Sequence, residues 1–167
     1  MEDVDKLQVP DATRVRYLTQ TTLSFDETAD IVDRLKQRFP LLQGPPAQDI
    51  CYATQNRQIA VKGISGYCDL LLVVGSQNSS NSKRLVEVAR NLGVRAYLAN
   101  DRSEVDTAWL AGVRNIGVTA GASAPEHLVQ ELIAFLNGHA FHQMEEIELV
   151  EEDVRFSLPA ELTVSIR

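Results

Sequence analysis

The run Asp69-Leu-Leu-Leu-Val-Val74 is apolar at every position after its first, so neither face of a strand built from it can meet water. Such a strand belongs inside a parallel sheet with helices packed on both faces. Strand-like apolar runs alternate with amphipathic stretches along most of the chain, the spacing expected of βα units. The expected fold class is therefore α/β, with a parallel sheet assembled from βα units.

Before this run, residues 14–18 are expected to form a strand, 19–22 a loop, and Ser24 with Glu27 a capping box opening a helix that ends near Arg38. Pro40 and the stiff Gly44-Pro45-Pro46 segment follow, and they place a domain boundary near Gln48. A short strand is expected over 49–53 and a helix over 55–64. After the apolar run, a polar loop over 76–82 leads to a helix with Leu85, Val86, Val88, Ala89 and Leu92 at helical spacing, closed by Gly93. A strand over 94–98, a short helix over 103–110 capped by Ser103, and a strand over 116–119 come next. Ser123 and Glu126 form a second expected capping box, with Pro125 in the first turn and Gly138 past the helix end. Residues 139–167 read as extended pieces around Pro159.

Composition narrows what such a fold can do. The 167 residues are 44% hydrophobic and 23% charged, close to globular averages, so the chain is expected to build a core. A net charge of −7 removes the basic footprint of a nucleic-acid binder. Most of that charge is local: Glu145, Glu146, Glu148, Glu151, Glu152 and Asp153 lie close together without a Lys or Arg between them. No apolar run approaches the roughly 18 residues of a bilayer span, and no secretory signal opens the chain, so a cytoplasmic protein without a membrane partner is expected. Cys51 and Cys68 are too few for a disulfide scaffold and fit no zinc spacing.

In an open parallel sheet, ligands bind beyond the carboxyl ends of the strands, where loops become helix N-termini. Four loops at such places are small and polar: 19–22, 51–56, 76–82 and 119–123. Hydroxyls and amides beside orphan backbone N–H groups make a site for an anion such as phosphate without any basic patch. The same residue types are also preferred helix caps. Six polar residues within 76–82 exceed what one cap needs, so that loop points to function. Gly117 and Gly121 allow close approach of the backbone. Neither a Walker A nor a G-x-G-x-x-G motif occurs, and no Ser stands in a G-x-S-x-G elbow. His127, His139 and His142 read as surface residues, the last two with nearby glutamates as an adventitious metal site. Cys51 opens a helix, where a ligand or nucleophile belongs, and Cys68 reads as a small apolar filler.

Four segments together carry a family resemblance: Thr19-Gln-Thr-Thr-Leu-Ser24, Asp49-Ile-Cys-Tyr-Ala-Thr-Gln-Asn-Arg-Gln58, Val74-Gly-Ser-Gln-Asn-Ser-Ser-Asn-Ser82 and Thr119-Ala-Gly-Ala-Ser-Ala-Pro125. In order and spelling they resemble the signature segments of the 4-hydroxy-3-methylbut-2-enyl diphosphate reductase, or LytB, family, iron–sulfur enzymes of the last step of the methylerythritol phosphate route to isoprenoids. The resemblance implies three α/β domains around a central cluster, of which this chain resembles a C-terminal half. Residues 1–47 then correspond to the end of the second domain and a linker, 48–138 to the third domain, and 139–167 to an acidic tail.

By the same resemblance Cys51 is one of three cysteine ligands of a 4Fe-4S cluster. Ser79, Ser80, Asn81 and Ser123 hold the substrate diphosphate. Thr21 meets the substrate's hydroxyl end and its proton relay. The implied reaction is a two-electron reductive dehydroxylation giving isopentenyl and dimethylallyl diphosphate, fed by an electron donor such as flavodoxin or ferredoxin. The family's other two cysteines, its histidines and its proton-donating glutamate belong to its N-terminal half, so a truncated chain, inactive alone, is the expectation. The alternative is a non-catalytic diphosphate-binding or scaffold module derived from the family.

Overall fold

In the computed structural model, residues 2–45 and 49–147 are described. Three parallel strands form the sheet: β1 (Leu70–Val74), β2 (Arg95–Ala99) and β3 (Ile116–Ala120), in the order β2-β1-β3. β1 is central, as its unbroken apolar sequence requires. Leu71 lies opposite Ala96 on one side and Gly117 on the other, and Val74 lies opposite Ala99 and Ala120. All five β1 residues are at most 1% exposed, because alternate side chains enter two different cores. Leu71 and Val73 pack with Val61, Leu85 and Ala89. Leu70, Leu72 and Val74 pack with Val105, Leu132 and Leu136 on the opposite face. Truncating one of these leucines to Ala would cost about 2–5 kcal/mol.

Helices α3 (Tyr52–Ser65) and α4 (Ser80–Asn91) cover the first face, and α5 (Glu126–Asn137) covers the second. Gly93, at φ +83°, turns the chain from α4 into β2 as the glycine past the helix predicts. Residues 103–110 do not form one helix. Two 3-10 turns, Arg102–Glu104 and Thr107–Leu110, stand there instead, divided by buried Val105. Their caps are Asp101, which accepts the Ser103 N–H at 2.7 Å, and Asp106, which accepts the Ala108 N–H at 2.8 Å. Ser103 is therefore the capped residue, because the carboxylate two positions earlier closes the turn.

The residues before Gly44 make a smaller unit. Helix α1 (Glu2–Lys6) docks on α2 (Phe25–Arg38) through an Arg34–Asp5 ion pair at 2.8 Å and hydrogen bonds from Arg38 to the carbonyls of Val4 and Leu7. The expected strand over 14–18 is reduced to a single parallel bridge, Arg16 to Gln43. With only one short neighbour to pair with, the bridge rests on two backbone bonds, Tyr17 N–H to Gln43 O at 3.0 Å and Gln43 N–H to Val15 O at 3.1 Å. Ser24 caps α2 by accepting the Glu27 N–H at 3.4 Å. The Glu27 carboxylate does not close the box; it reaches across to Arg84 and Asn91 of α4, each at 3.4 Å. The boundary near Gln48 lies outside the described residues. So does the tail beyond Ile147, while residues 139–147 contain neither helix nor strand.

Candidate functional site

Short connections set the direction of each helix. Only four residues separate α3 from β1, so the start of α3 lies at the carboxyl edge of the sheet, and five residues separate β1 from α4, which puts the start of α4 there too. The same edge carries a switch in topology. After β1 the chain packs α4 on one face, and after the neighbouring β3 it packs α5 on the other. Loops that leave adjacent strands for opposite faces open a crevice between them, the usual ligand position in open α/β sheets. Gly75 and Gly121 begin those two loops, and both are tied to the sheet: Gly75 N–H donates to Ala99 O and Gly121 N–H to Val74 O, each at 2.9 Å.

Into this crevice comes the first turn of α4. Ser79 is its N-cap, accepting the Ser82 N–H at 3.2 Å, and its hydroxyl also meets the Ser82 hydroxyl at 3.0 Å. Ser82 is 1% exposed and lies between the two glycines. A Cβ on Gly75 would stand 2.2 Å from Ser82 Oγ, and a Cβ on Gly121 would stand 2.1 Å from it. No side chain larger than hydrogen fits either place, so the helix start is held close to the strand ends. Asn81 follows, 7% exposed, with both Oδ1 and Nδ2 buried and without a hydrogen-bond partner. Its Nδ2 is 3.8 Å from the position of a Gly121 Cβ. Leaving a buried amide unmet costs about 1–3 kcal/mol, a cost that an incoming acceptor would remove. The backbone amides of Ser80 and Asn81, in the first helical turn, lack intrahelical acceptors by geometry.

Ser123 sits in the turn that Gly121 opens, closed by the Ala124 N–H to Gly121 O bond at 2.9 Å, and its side chain is exposed. It does not cap α5. Pro125 holds the N-cap position, makes no side-chain cap bond, and the Ser123–Glu126 box does not form. The Ala124 turn separates the two residues, which leaves the Ser123 hydroxyl uncommitted to the helix. The structure thus brings Ser79, Ser80 and Asn81 to one crevice with the loop of Ser123.

A second group gathers at the start of α3. The expected strand over 49–53 is absent; Cys51 is the N-cap and the helix begins at Tyr52, three residues earlier than the sequence suggests. Cys51 is exposed, and its side chain makes no cap bond. Its N–H donates to Thr21 O at 3.0 Å, so Thr21 and Cys51 are neighbours although thirty residues apart in sequence. The Thr21 side chain is exposed as well. Asp49 Oδ2 accepts the Thr19 N–H at 2.8 Å, and Thr19 Oγ1 is buried without a partner.

The donor set decides what metal chemistry the chain can support. Cys51 is available as one ligand. Cys68 is half-buried, its Sγ 3.1 Å from the place of a Gly117 Cβ, and burial pushes its thiol pKa up. That is the environment of a filler, as the sequence suggests. Among the described residues no three His, Cys, Asp or Glu side chains converge on one point. The adventitious site around His139 and His142 is therefore not formed there, and His139 Nδ1 instead contacts Phe135 O at 2.8 Å. A 4Fe-4S cluster takes three or four protein ligands, so these residues fit one corner of such a cluster and do not fit the whole. Among the described residues no helix is long and apolar enough to cross a membrane.

A family model described as LytB protein matches residues 1–137. The chain belongs to the LytB family. A protein of Rhodococcus jostii (strain RHA1) named 4-hydroxy-3-methylbut-2-enyl diphosphate reductase is 55% identical over 162 residues, 96% of this chain and 48% of that protein. One of the same name from Streptomyces avermitilis is 53% identical over 166 residues, 99% of this chain and 49% of its own length. The solved structure of E-1-hydroxy-2-methyl-but-2-enyl-4-diphosphate reductase from Plasmodium falciparum is similar with a TM-score of 0.88 at 39% identity, covering 99% of this chain and 52% of that one. The LytB chain thus spans about half the length of the curated relatives it matches.

Sequence reasoning found the loops but missed residues that build them. Ser82 is hidden in a run of serines. Gln58, only 1% exposed, accepts the Phe25 N–H at 3.1 Å and donates to Leu23 O at 2.8 Å. Its period within α3 places it on the buried side, and a polar residue there is the available signal.

Proposed function

We propose that this LytB chain forms the diphosphate-holding part of a reductase acting on 4-hydroxy-3-methylbut-2-enyl diphosphate, the reaction carried in its relatives' names. The observation that supports it most is Asn81: a buried amide with both polar atoms unmet, at a helix N-terminus, in the crevice between two strand ends. A diphosphate oxygen there would meet the Asn81 Nδ2, the first-turn amides of Ser80 and Asn81, and the hydroxyls of Ser79 and Ser123. The Ser79 oxygen accepts the Ser82 N–H and meets the Ser82 hydroxyl, which fixes where its side chain stands. Neutral donors aimed by the backbone suit an anion in a chain of net charge −7.

In this reading residues 48–138 are the whole third α/β domain of the reductase, and residues 1–47 the end of its second domain with a linker. Thr21 lies at the substrate's hydroxyl end, where its side chain orients that group and passes a proton. Cys51 gives one thiolate to a 4Fe-4S cluster whose other ligands come from elsewhere, and electrons reach it from a donor such as flavodoxin or ferredoxin. The chemistry of the cluster does not follow from this chain's thiols alone. Membership of the family supports the reductase over a binding module that lost the chemistry.

Titrating diphosphate into the chain while following amide resonances tests the anion site. We expect Ser79, Ser80, Asn81 and Ser123 to shift together at millimolar ligand, since a few neutral donors, each worth about 1.5–3 kcal/mol to a charged acceptor before ordering costs, give weak binding. Shifts confined to other residues would refute the assignment.

A further inference from the structure

We infer that Gln58 is a positioning residue, which from the second turn of α3 holds the Thr21 loop against the helix start that presents Cys51. This deepens the reading above and rests on the roles it gives Thr21 and Cys51. The geometry is specific. Gln58 Nε2 donates to Leu23 O at 2.8 Å while its Oε1 accepts the Phe25 N–H at 3.1 Å, two backbone groups on either side of the α2 cap Ser24. Phe25 is the first residue of α2, so its N–H is an orphan that only a side chain or water can meet. At 1% exposure Gln58 leaves no room for water to do so.

Four bonds therefore run along the loop in order. Thr19 N–H is held by Asp49, Thr21 O by the Cys51 N–H, and Leu23 and Phe25 by Gln58. Asp49 and Cys51 stand at the start of α3, and Gln58 is two turns further on. The loop is thus pinned along its length to α3 and to the residues that open it, with Thr21 in the middle, bonded through its carbonyl to the Cys51 N–H. An amide is the side chain that serves, because one end must donate and the other accept. Carboxylate can only accept, and would set a negative charge against Leu23 O.

The test is amide hydrogen exchange on the full chain, read as protection factors. In Gln58→Ala we expect the Cys51 and Phe25 amides to lose at least about tenfold protection beyond any change in the β1 amides, which report global opening. Gln58→Glu keeps the shape and gives a second, chemical readout. Burial raises the folded-state pKa of a carboxyl above its unfolded value of about 4.3, so the variant is worst at neutral pH, where the carboxylate cannot donate. As the pH is lowered from about 7 toward 5 the neutral carboxyl can donate to Leu23 O, and Cys51 protection relative to wild type should return. A purely space-filling role would show no such pH-dependent rescue. Cys51 protection that is unchanged in Gln58→Ala, or that falls only in step with β1, overturns the inference. So does a Gln58→Glu variant whose deficit is independent of pH. Failure of the functional reading is seen separately, in the diphosphate titration of the unsubstituted chain, which involves neither Thr21 nor Gln58.

Discussion

At the start of α4 the orphan amides are partly met from within, by the Ser79 hydroxyl, and the turn is wedged between two glycines. At the start of α3, on the same sheet edge, the N-cap is a cysteine whose side chain caps nothing and faces solvent. The first helix start is a rigid donor cluster with one unmet buried amide. The second is an open thiol held in place through its backbone. Both arrangements give up stability, the first by burying Asn81 without a partner and the second by leaving out a cap. A site that binds an anion needs donors fixed in advance, whereas a metal ligand needs a lone pair that no neighbour consumes.

The largest effect should come from the wedge. Gly75→Ala and Gly121→Ala each force a Cβ into Ser82, and overpacking of this kind costs about 1–3 kcal/mol or more, measurable as a lowered denaturation midpoint. Adding Ser82→Ala separates them. For Gly121 the nearest remaining atom is then Ser82 Cβ at 3.4 Å, so most of the loss should be recovered; for Gly75 that atom is at 2.8 Å, so the clash stays. Equal rescue of both would show that the helix start is not held against β1 as described.

A pair of substitutions of opposite sign comes next. Ser79→Ala removes a working cap and strands the buried Ser82 hydroxyl, for a loss of about 1–2 kcal/mol. Cys51→Ser supplies the cap that α3 lacks, and a gain of about 0.5–1 kcal/mol is expected from the same melting experiment. If Cys51→Ser destabilises the chain, the thiol contributes packing that its exposure does not suggest.

The smallest effect is on reactivity alone. Iodoacetamide followed by mass spectrometry should modify Cys51 quickly in the native chain and Cys68 only slowly until denaturant is added, since burial raises the Cys68 pKa and disfavours its thiolate. Comparable native rates would mean that the start of β1 is as open as the start of α3.

The parallel sheet, its central strand and the polar loops at helix starts were legible in the residues themselves. A run such as Leu70 to Val74 has one low-energy environment, and period and capping act over a few positions. Local signals failed where partners are distant. Residues 14–18 have strand-like composition, yet strand formation needs a neighbour, and among the described residues only Gln43 is bridged to them. Ser123 and Glu126 have capping-box spacing, yet the Gly121 turn takes that segment elsewhere. Glu27, spaced to complete a box, finds Arg84 from another helix.

Sequence alone determined which residue types stand at the carboxyl edge, because hydroxyls, amides and glycines at those spacings are needed for each loop by itself. Only the tertiary structure decided which of them meet. Gln58 reaches Leu23 and Phe25 across more than thirty residues, and Ser82 fills the gap between Gly75 and Gly121, which follow different strands. Such contacts are set by where the packed helices bring the chain, a property of the whole core that no local window of sequence contains.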